Sequence, residues 1–303
     1  MSQQTDTKFI SNVEIVNEHK LYVTSCSVQG NTQSIVKFEE GKVEMHTRIA
    51  NNAIRLIGKE FQTNNYGKCV VTEYEGIRNV TVRFFEPHCI VRCDLGQLKA
   101  GNVKNPMYPS VFGKGYMGVG KYTSKNCGKA YRIWVGILER TCSDSVHPKH
   151  VTYKDVSVYN EWLNFQVFAE WCSNQQFFNK KDDEGRPYQL DKDILVKGNK
   201  EYSPETCCFV PQEVNKLLLN GGKSRGKHPV GVCYLKQKRK FKAAVKYYGK
   251  PKHLGLYSTP EEAFEAYKVN KELHIKELAN KWKGSVCDQT YEALMTWEIN
   301  IYD

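Results

Sequence analysis

The chain has 303 residues, 40% of them hydrophobic and 12% aromatic, with a net charge of +11, so it is long enough for two or three folded domains. No run of 18 apolar residues occurs and the chain opens on the polar MSQQTDTKF, so neither a membrane-spanning helix nor a secretory leader is expected. The expectation is a soluble cytoplasmic protein without a membrane partner.

From about residue 8 to residue 120 the chain reads as short β-strands: KLYVTSCSV, SIVKFEEGKVEMHT, KCVVTEYEG, RNVTVRFF and HCIVRCDL. They are rich in Val, Thr, Tyr and Phe and are broken by Gly and Asn turns. Lys20-Leu-Tyr-Val-Thr with Ser34-Ile-Val-Lys-Phe parallels Lys68-Cys-Val-Val-Thr with Val80-Thr-Val-Arg-Phe, a tandem of small β-barrel-like modules. No catalytic constellation is visible there, and ordinary sheet surface explains Tyr66, Arg78 and Arg83 as well as a contact role does. The stretch NPMYPSVFGKGYMGVGKY, dense in Gly, Pro and Tyr, reads as a linker or a loop wrapped on the next domain.

From about 121 to 220 the pattern turns helical. Tyr131, Trp134, Leu138 and Cys142 recur at three and four residues, and a second helix is expected from about Asn160, carrying Trp162, Phe165, Phe168, Ala169 and Trp171. The tryptophans read as core anchors. The eleven cysteines are scattered, with no C-x-x-C, as reduced core thiols would be. A zinc set of Cys127, Cys142, His147 and His150 can be written, but its spacing matches no standard pattern.

The charge is concentrated in one place. Gly221 to Lys252 holds eleven Lys and Arg and no Asp or Glu, which equals the excess of the whole chain. Such a single-sign field attracts polyanions. PVGVCYLK, KRKFKAAVKYY and KHLGLYS read as three short strands, and Thr259-Pro-Glu-Glu opens a helix with an N-cap, a proline at the first position and two acids at its positive end. Ala263, Ala266, Tyr267 and Leu273 are expected along its packed face. The open face of such a sheet would carry Lys238, Arg239, Lys240, Lys242 and Lys246, with Lys236, Tyr234 and Tyr247 nearby and Arg225 in the basic linker before it. These cations would neutralise phosphates of double-stranded DNA.

Val230-Gly-Val, Lys240-Phe-Lys-Ala, Leu254-Gly-Leu-Tyr and Thr259-Pro-Glu-Glu-Ala-Phe-Glu-Ala-Tyr resemble the plant ethylene-response-factor DNA-binding domain and its phage relatives. That resemblance implies a sheet lying in the major groove. Family members carry more Arg than Lys there. Lys lacks the two-pronged fork of Arg, so backbone binding is better supported than base readout.

The middle region resembles the HNH-type endonucleases of phages, many of them homing enzymes. The resemblance rests on Tyr131-Arg-Ile-Trp, Arg140-Thr-Cys, Tyr153-Lys-Asp-Val-Ser-Val, Glu161-Trp-Leu-Asn-Phe, Leu190-Asp-Lys-Asp, Gly198-Asn-Lys and Tyr202-Ser-Pro-Glu-Thr-Cys. It implies a ββα-metal nuclease domain. Phosphodiester hydrolysis needs an activated water and a hard cation held by oxygen ligands, such as magnesium or another divalent ion. Asp191 and Asp193, two apart and on one face if they lie on a strand, are the candidate ligands, with Asn199 orienting the metal or the phosphate. The family's His beside the first Asp is Lys192 here, which could serve at the phosphate or as an unusual base, and its later Asn is Thr206. Arg140 is a further candidate for phosphate, or a brace to a carboxylate.

The expected architecture is therefore multidomain α+β: a β-rich region over 1–120, an HNH-like domain over 121–220, and a three-stranded antiparallel sheet packed on one helix over 221–303. The expected activity is DNA endonucleolytic cleavage in a phage's host cytoplasm, by a monomer in the simplest case. A non-catalytic DNA-binding regulator on a decayed nuclease scaffold is the alternative, and an RNA-binding accessory protein the third.

Overall fold

The computed structural model describes residues 52–142, 155–218 and 227–302, together with the backbone of three strands nearer the N-terminus. It is a mixed α and β structure that divides into two compact units. One comprises Met1–Pro109 with Tyr116–Val119, the other Ser110–Gly115 with Gly120–Asp303.

In the first unit, β1 (Phe9–Val16), β2 (His19–Val28) and β3 (Asn31–Gln33) form one antiparallel sheet in sequence order. The expected strand over 34–47 lies outside the described residues. A second antiparallel sheet runs β4 (Glu60–Gln62), β5 (Lys68–Gly76), β6 (Asn79–Phe84) and β7 (Cys89–Cys93), again in sequence order. Val71, Val80, Val82, Phe84 and Cys69 are buried in its core under α1 (Leu95–Lys99), which Asp94 caps by accepting from Gln97 N at 2.7 Å. This sheet is an open meander, and no sheet among the described residues closes into a barrel. The barrel-like modules are thus corrected: tight sequential connections pair neighbours in order and never bring β4 against β7.

In the second unit, α2 (Gly128–Cys142) buries Trp134, Ile137 and Leu138. The Gly-rich stretch before it wraps on this helix, for a side chain at Gly115 would strike Leu138 and Trp134. After β8 (Ser157–Val158) comes a 3-10 turn, Asn160–Leu163, and only then α3 (Phe165–Asn174). The single helix expected from Asn160 is divided at Asn164, whose side chain accepts from Gln166 N at 3.0 Å and restarts it as an N-cap. Trp134 and Trp162 are fully buried, the Trp134 indole N–H donating to the Trp162 carbonyl at 2.6 Å.

The chain then forms β9 (Gln189–Asp191), β10 (Glu201–Tyr202), β11 (Cys208–Val210) and α4 (Gln212–Leu217). β9 and β11 pair antiparallel, and β10 pairs in parallel with β8. Last come β12 (Val232–Leu235), β13 (Lys240–Tyr247) and β14 (Lys250–Tyr257), an antiparallel sheet in sequence order, then α5 (Pro260–Lys281) and α6 (Asp288–Met295). Thr259 and Glu262 complete a reciprocal capping box with Pro260 in the first turn, as the sequence leads one to expect. One apolar core joins Ile194, Val210 and Val214 to Val245, Phe264, Ile275, Leu278 and Trp282, so residues on both sides of position 220 share it.

Candidate nucleic-acid interface and candidate active-site loop

Side chains of a strand alternate between faces, and β13 does so cleanly. Ala243 and Val245 are buried on the side of α5, which leaves Lys240, Lys242 and Lys246 on the outward face. Cross-strand partners extend that face: Cys233 and Leu256 flank Lys242, and His253 lies opposite Ala244. A bulge at Ala243/Ala244 lets Leu254 turn back and pack on the core. Gly255, at φ +147, supplies backbone that a side chain would strain.

Five positions differ from expectation. Lys238 and Arg239 are not on the strand face; with Lys236 they form the exposed turn between β12 and β13, where Arg239 takes φ +49. The strand starts only at Lys240 because that is where pairing with Leu235 begins. Tyr247 and Tyr234 point to the opposite side: Tyr247 stacks on His274 at 4.1 Å and Tyr234 packs on Phe241 at 5.0 Å. Leu273 is 53% exposed, and His274 takes the packed position in its place. Arg225 lies outside the described residues.

Among the described residues, none of Lys236, Lys238, Arg239, Lys240, Lys242 and Lys246 has a carboxylate within ion-pair distance. Lys240 Nζ reaches only the Ser258 hydroxyl, at 3.0 Å. The surface is a set of uncompensated cations with an aliphatic floor.

The loop from β9 to β11 holds the other candidates. Asp191 does not share a strand face with Asp193, because β9 ends at Asp191 and the chain bends at once. Asp191 Oδ1 turns back to accept from the backbone N–H of Asp193 at 2.7 Å and of Ile194 at 2.9 Å, an Asx turn that outcompetes continued strand. Burial pushes the Asp191 carboxyl above its ordinary range, partly offset by those two donors. Lys192 is buried, its Nζ donating to Asp193 Oδ1 at 2.6 Å and to the Asn199 carbonyl at 2.8 Å. Asp193 is half-exposed.

Asn199 serves the loop itself. Its amide nitrogen donates to the carbonyls of Lys192 at 2.8 Å and Glu201 at 2.5 Å, and its oxygen accepts from Glu201 N at 3.1 Å. Thr206 closes the same loop by donating to the Glu201 carbonyl at 2.9 Å.

Tyr202, part of a motif but given no role from the sequence, organises the cations. The Arg140 guanidinium lies 5.3 Å and Lys192 Nζ 5.8 Å from its ring centroid. Elements far apart in sequence thus bring Arg140, Lys192 and Asp193 together, which spacing alone could not reveal. Asp191 Oδ2 and Asp193 Oδ2 make no hydrogen bond among the described residues, so each carboxylate keeps one oxygen, a hard donor of the kind magnesium takes, outside the loop's own bonding.

Comparison of the chain with protein-family models, with curated proteins and with solved structures finds no match. The geometry therefore carries the functional reading alone. Among the described residues no group of three or more His, Cys, Asp or Glu is placed to hold a metal, and His147 and His150 of the zinc set lie outside them. No helix among the described residues is long and apolar enough to cross a membrane.

Proposed function

We propose that this protein is a DNA endonuclease of the phage homing type that grips duplex DNA on the outward face of β12–β14 and hydrolyses a phosphodiester at the 191–199 loop. The observation that carries the reading is the row of unpaired Lys240, Lys242 and Lys246 on a sheet whose other face is engaged with α5. Cations without carboxylate partners keep their full attraction for a polyphosphate, and a sheet can follow a groove. The hydrolytic half rests on the antiparallel pair β9–β11, with the loop and β10 between them in the chain, followed by α4, a ββα unit with acidic residues where its first strand ends.

At that loop Asp191 and Asp193 would hold a divalent cation, which when bound supplies polarisation of the phosphate and a more acidic water. Lys192 and Arg140 would meet the negative charge of the phosphate from the Tyr202 side. Asn199 holds the loop that carries Lys192, and so acts as a positioning residue.

One observation favours a non-catalytic DNA-binding protein instead: the loop uses Asn199 fully and one oxygen of each aspartate for its own backbone or its own lysine. Supercoiled plasmid with magnesium separates the two. The enzyme yields open-circle or linear DNA, with an Asp193→Asn variant leaving it intact; the regulator retards plasmid without nicking it.

A further inference from the structure

Between α4, α5, β13 and the loop over 182–186 lies a cavity of about 760 Å³, large enough for a nucleotide. It belongs neither to the outward sheet face nor to the 191–199 loop. Its acidic side chains are mostly spent. Asp182 accepts from Arg186 Nε at 2.8 Å, Glu184 pairs with Arg186, and Glu213 accepts from Lys281 Nζ at 2.7 Å and Trp282 Nε1 at 3.0 Å.

Two of its cations are not spent. Lys271 is half-buried, and its Nζ donates only to the Leu217 carbonyl, at 2.6 Å, with no carboxylate partner among the described residues. Lys216, likewise unpaired among the described residues, adds a second charge to the wall. Burial drives the Lys271 ammonium down to about 8. Beside it His274 is 3% exposed, lies against the Lys246 backbone and accepts from Tyr248 N at 3.5 Å. Tyr248 stands half-exposed at the same cavity in left-handed backbone, φ +46, a conformation a tyrosine adopts at a cost.

We propose that this cavity binds a nucleotide, its phosphate on Lys271 and Lys216 and its base against Tyr248. Cations without carboxylate partners take the phosphate, an aromatic ring takes a π-face, and Asp183 is left to accept from an amino or hydroxyl group. The phosphate has two possible sources, a free nucleotide or the 5′-phosphorylated end of a DNA strand. The site stands apart from the DNA-gripping face, so it does not rest on the function proposed above.

Calorimetric titration of the full chain decides it, with deoxyadenosine monophosphate as one probe and a duplex with a three-nucleotide overhang, with or without a 5′-phosphate, as the other. Binding of the mononucleotide, weakened at least tenfold in both Lys271→Met and Tyr248→Ala, supports a free nucleotide. No mononucleotide binding, but a tenfold preference for the phosphorylated overhang that both variants lose, supports a strand end. Tyr248→Ala alters an exposed hairpin tip, so it remains informative should Lys271→Met fail to fold. Neither probe binding, or either probe binding the variants as well as the parent, overturns the proposal.

Discussion

Lys192 and Asn199 hold each other from opposite ends of one loop: Lys192 Nζ donates to the Asn199 carbonyl and Asn199 Nδ2 donates to the Lys192 carbonyl, each at 2.8 Å. This reciprocal clamp fixes the backbone that carries Asp193; alanine at 199 keeps the carbonyl that Lys192 uses but leaves the Lys192 and Glu201 carbonyls without the side-chain donor. Asn199→Ala is therefore expected to cost about 1–3 kcal/mol, measured by chemical denaturation. In the endonuclease reading it also lowers kcat without abolishing it. A variant as stable as the parent contradicts the clamp.

The two aspartates are expected to separate into different roles. Asp191→Ala removes the acceptor for two backbone donors and should destabilise the chain by about 1–2 kcal/mol, as loss of a helix cap does. Asp193→Asn, at a half-exposed side chain, should leave the melting temperature nearly unchanged while removing plasmid cleavage. Thermal melts and cleavage assays on both variants check the separation; equal destabilisation by both would refute it.

Much of this is legible in the residues and some is not. The capping box of α5, the three strands before it and the tryptophan core follow from local patterns that the tertiary structure has no reason to overrule. Strand periodicity fails where it is carried past a strand end. It gives Asp193 and Arg239 a face only if pairing continues, whereas the Asp191 side chain ends one strand and a left-handed turn at Arg239 precedes the other. The grouping of Arg140, Lys192 and Tyr202, and the cavity around Lys271, depend on packing between elements far apart in sequence, which periodicity does not encode.

Gly231, at φ +79, lies so close to Tyr267 that a Cβ there would enter its ring. Both the backbone conformation and the missing side chain are required to seat β12 on α5. Gly231→Ala should cost about 2–4 kcal/mol, seen as an earlier denaturant midpoint. A neutral result would show that the sheet can shift away from the helix.

Lys271 makes a pH-dependent contribution of known sign. Its pKa is lowered from 10.5 to about 8 on folding, so between those values the unfolded chain binds more protons and stability rises with pH. Lys271→Met removes this dependence. Its stability advantage over the parent should be on the order of 2 kcal/mol below pH 8 and shrink as pH climbs towards 10.5, as read from paired denaturation curves. A difference that stays flat across that window means the ammonium is not desolvated as described.

The central claim, that the outward face of β12–β14 lies along duplex DNA, is tested most directly by titrating a short labelled duplex at several salt concentrations. The comparison is between the parent chain and the combined Lys240→Glu, Lys242→Glu and Lys246→Glu variant. The expected result is tight low-salt binding by the parent and a loss of binding in the variant. Single Lys→Ala changes should each reduce the log–log salt slope by about 0.9. A charge-reversed protein that folds normally and keeps the parent's affinity and salt slope would contradict the claim.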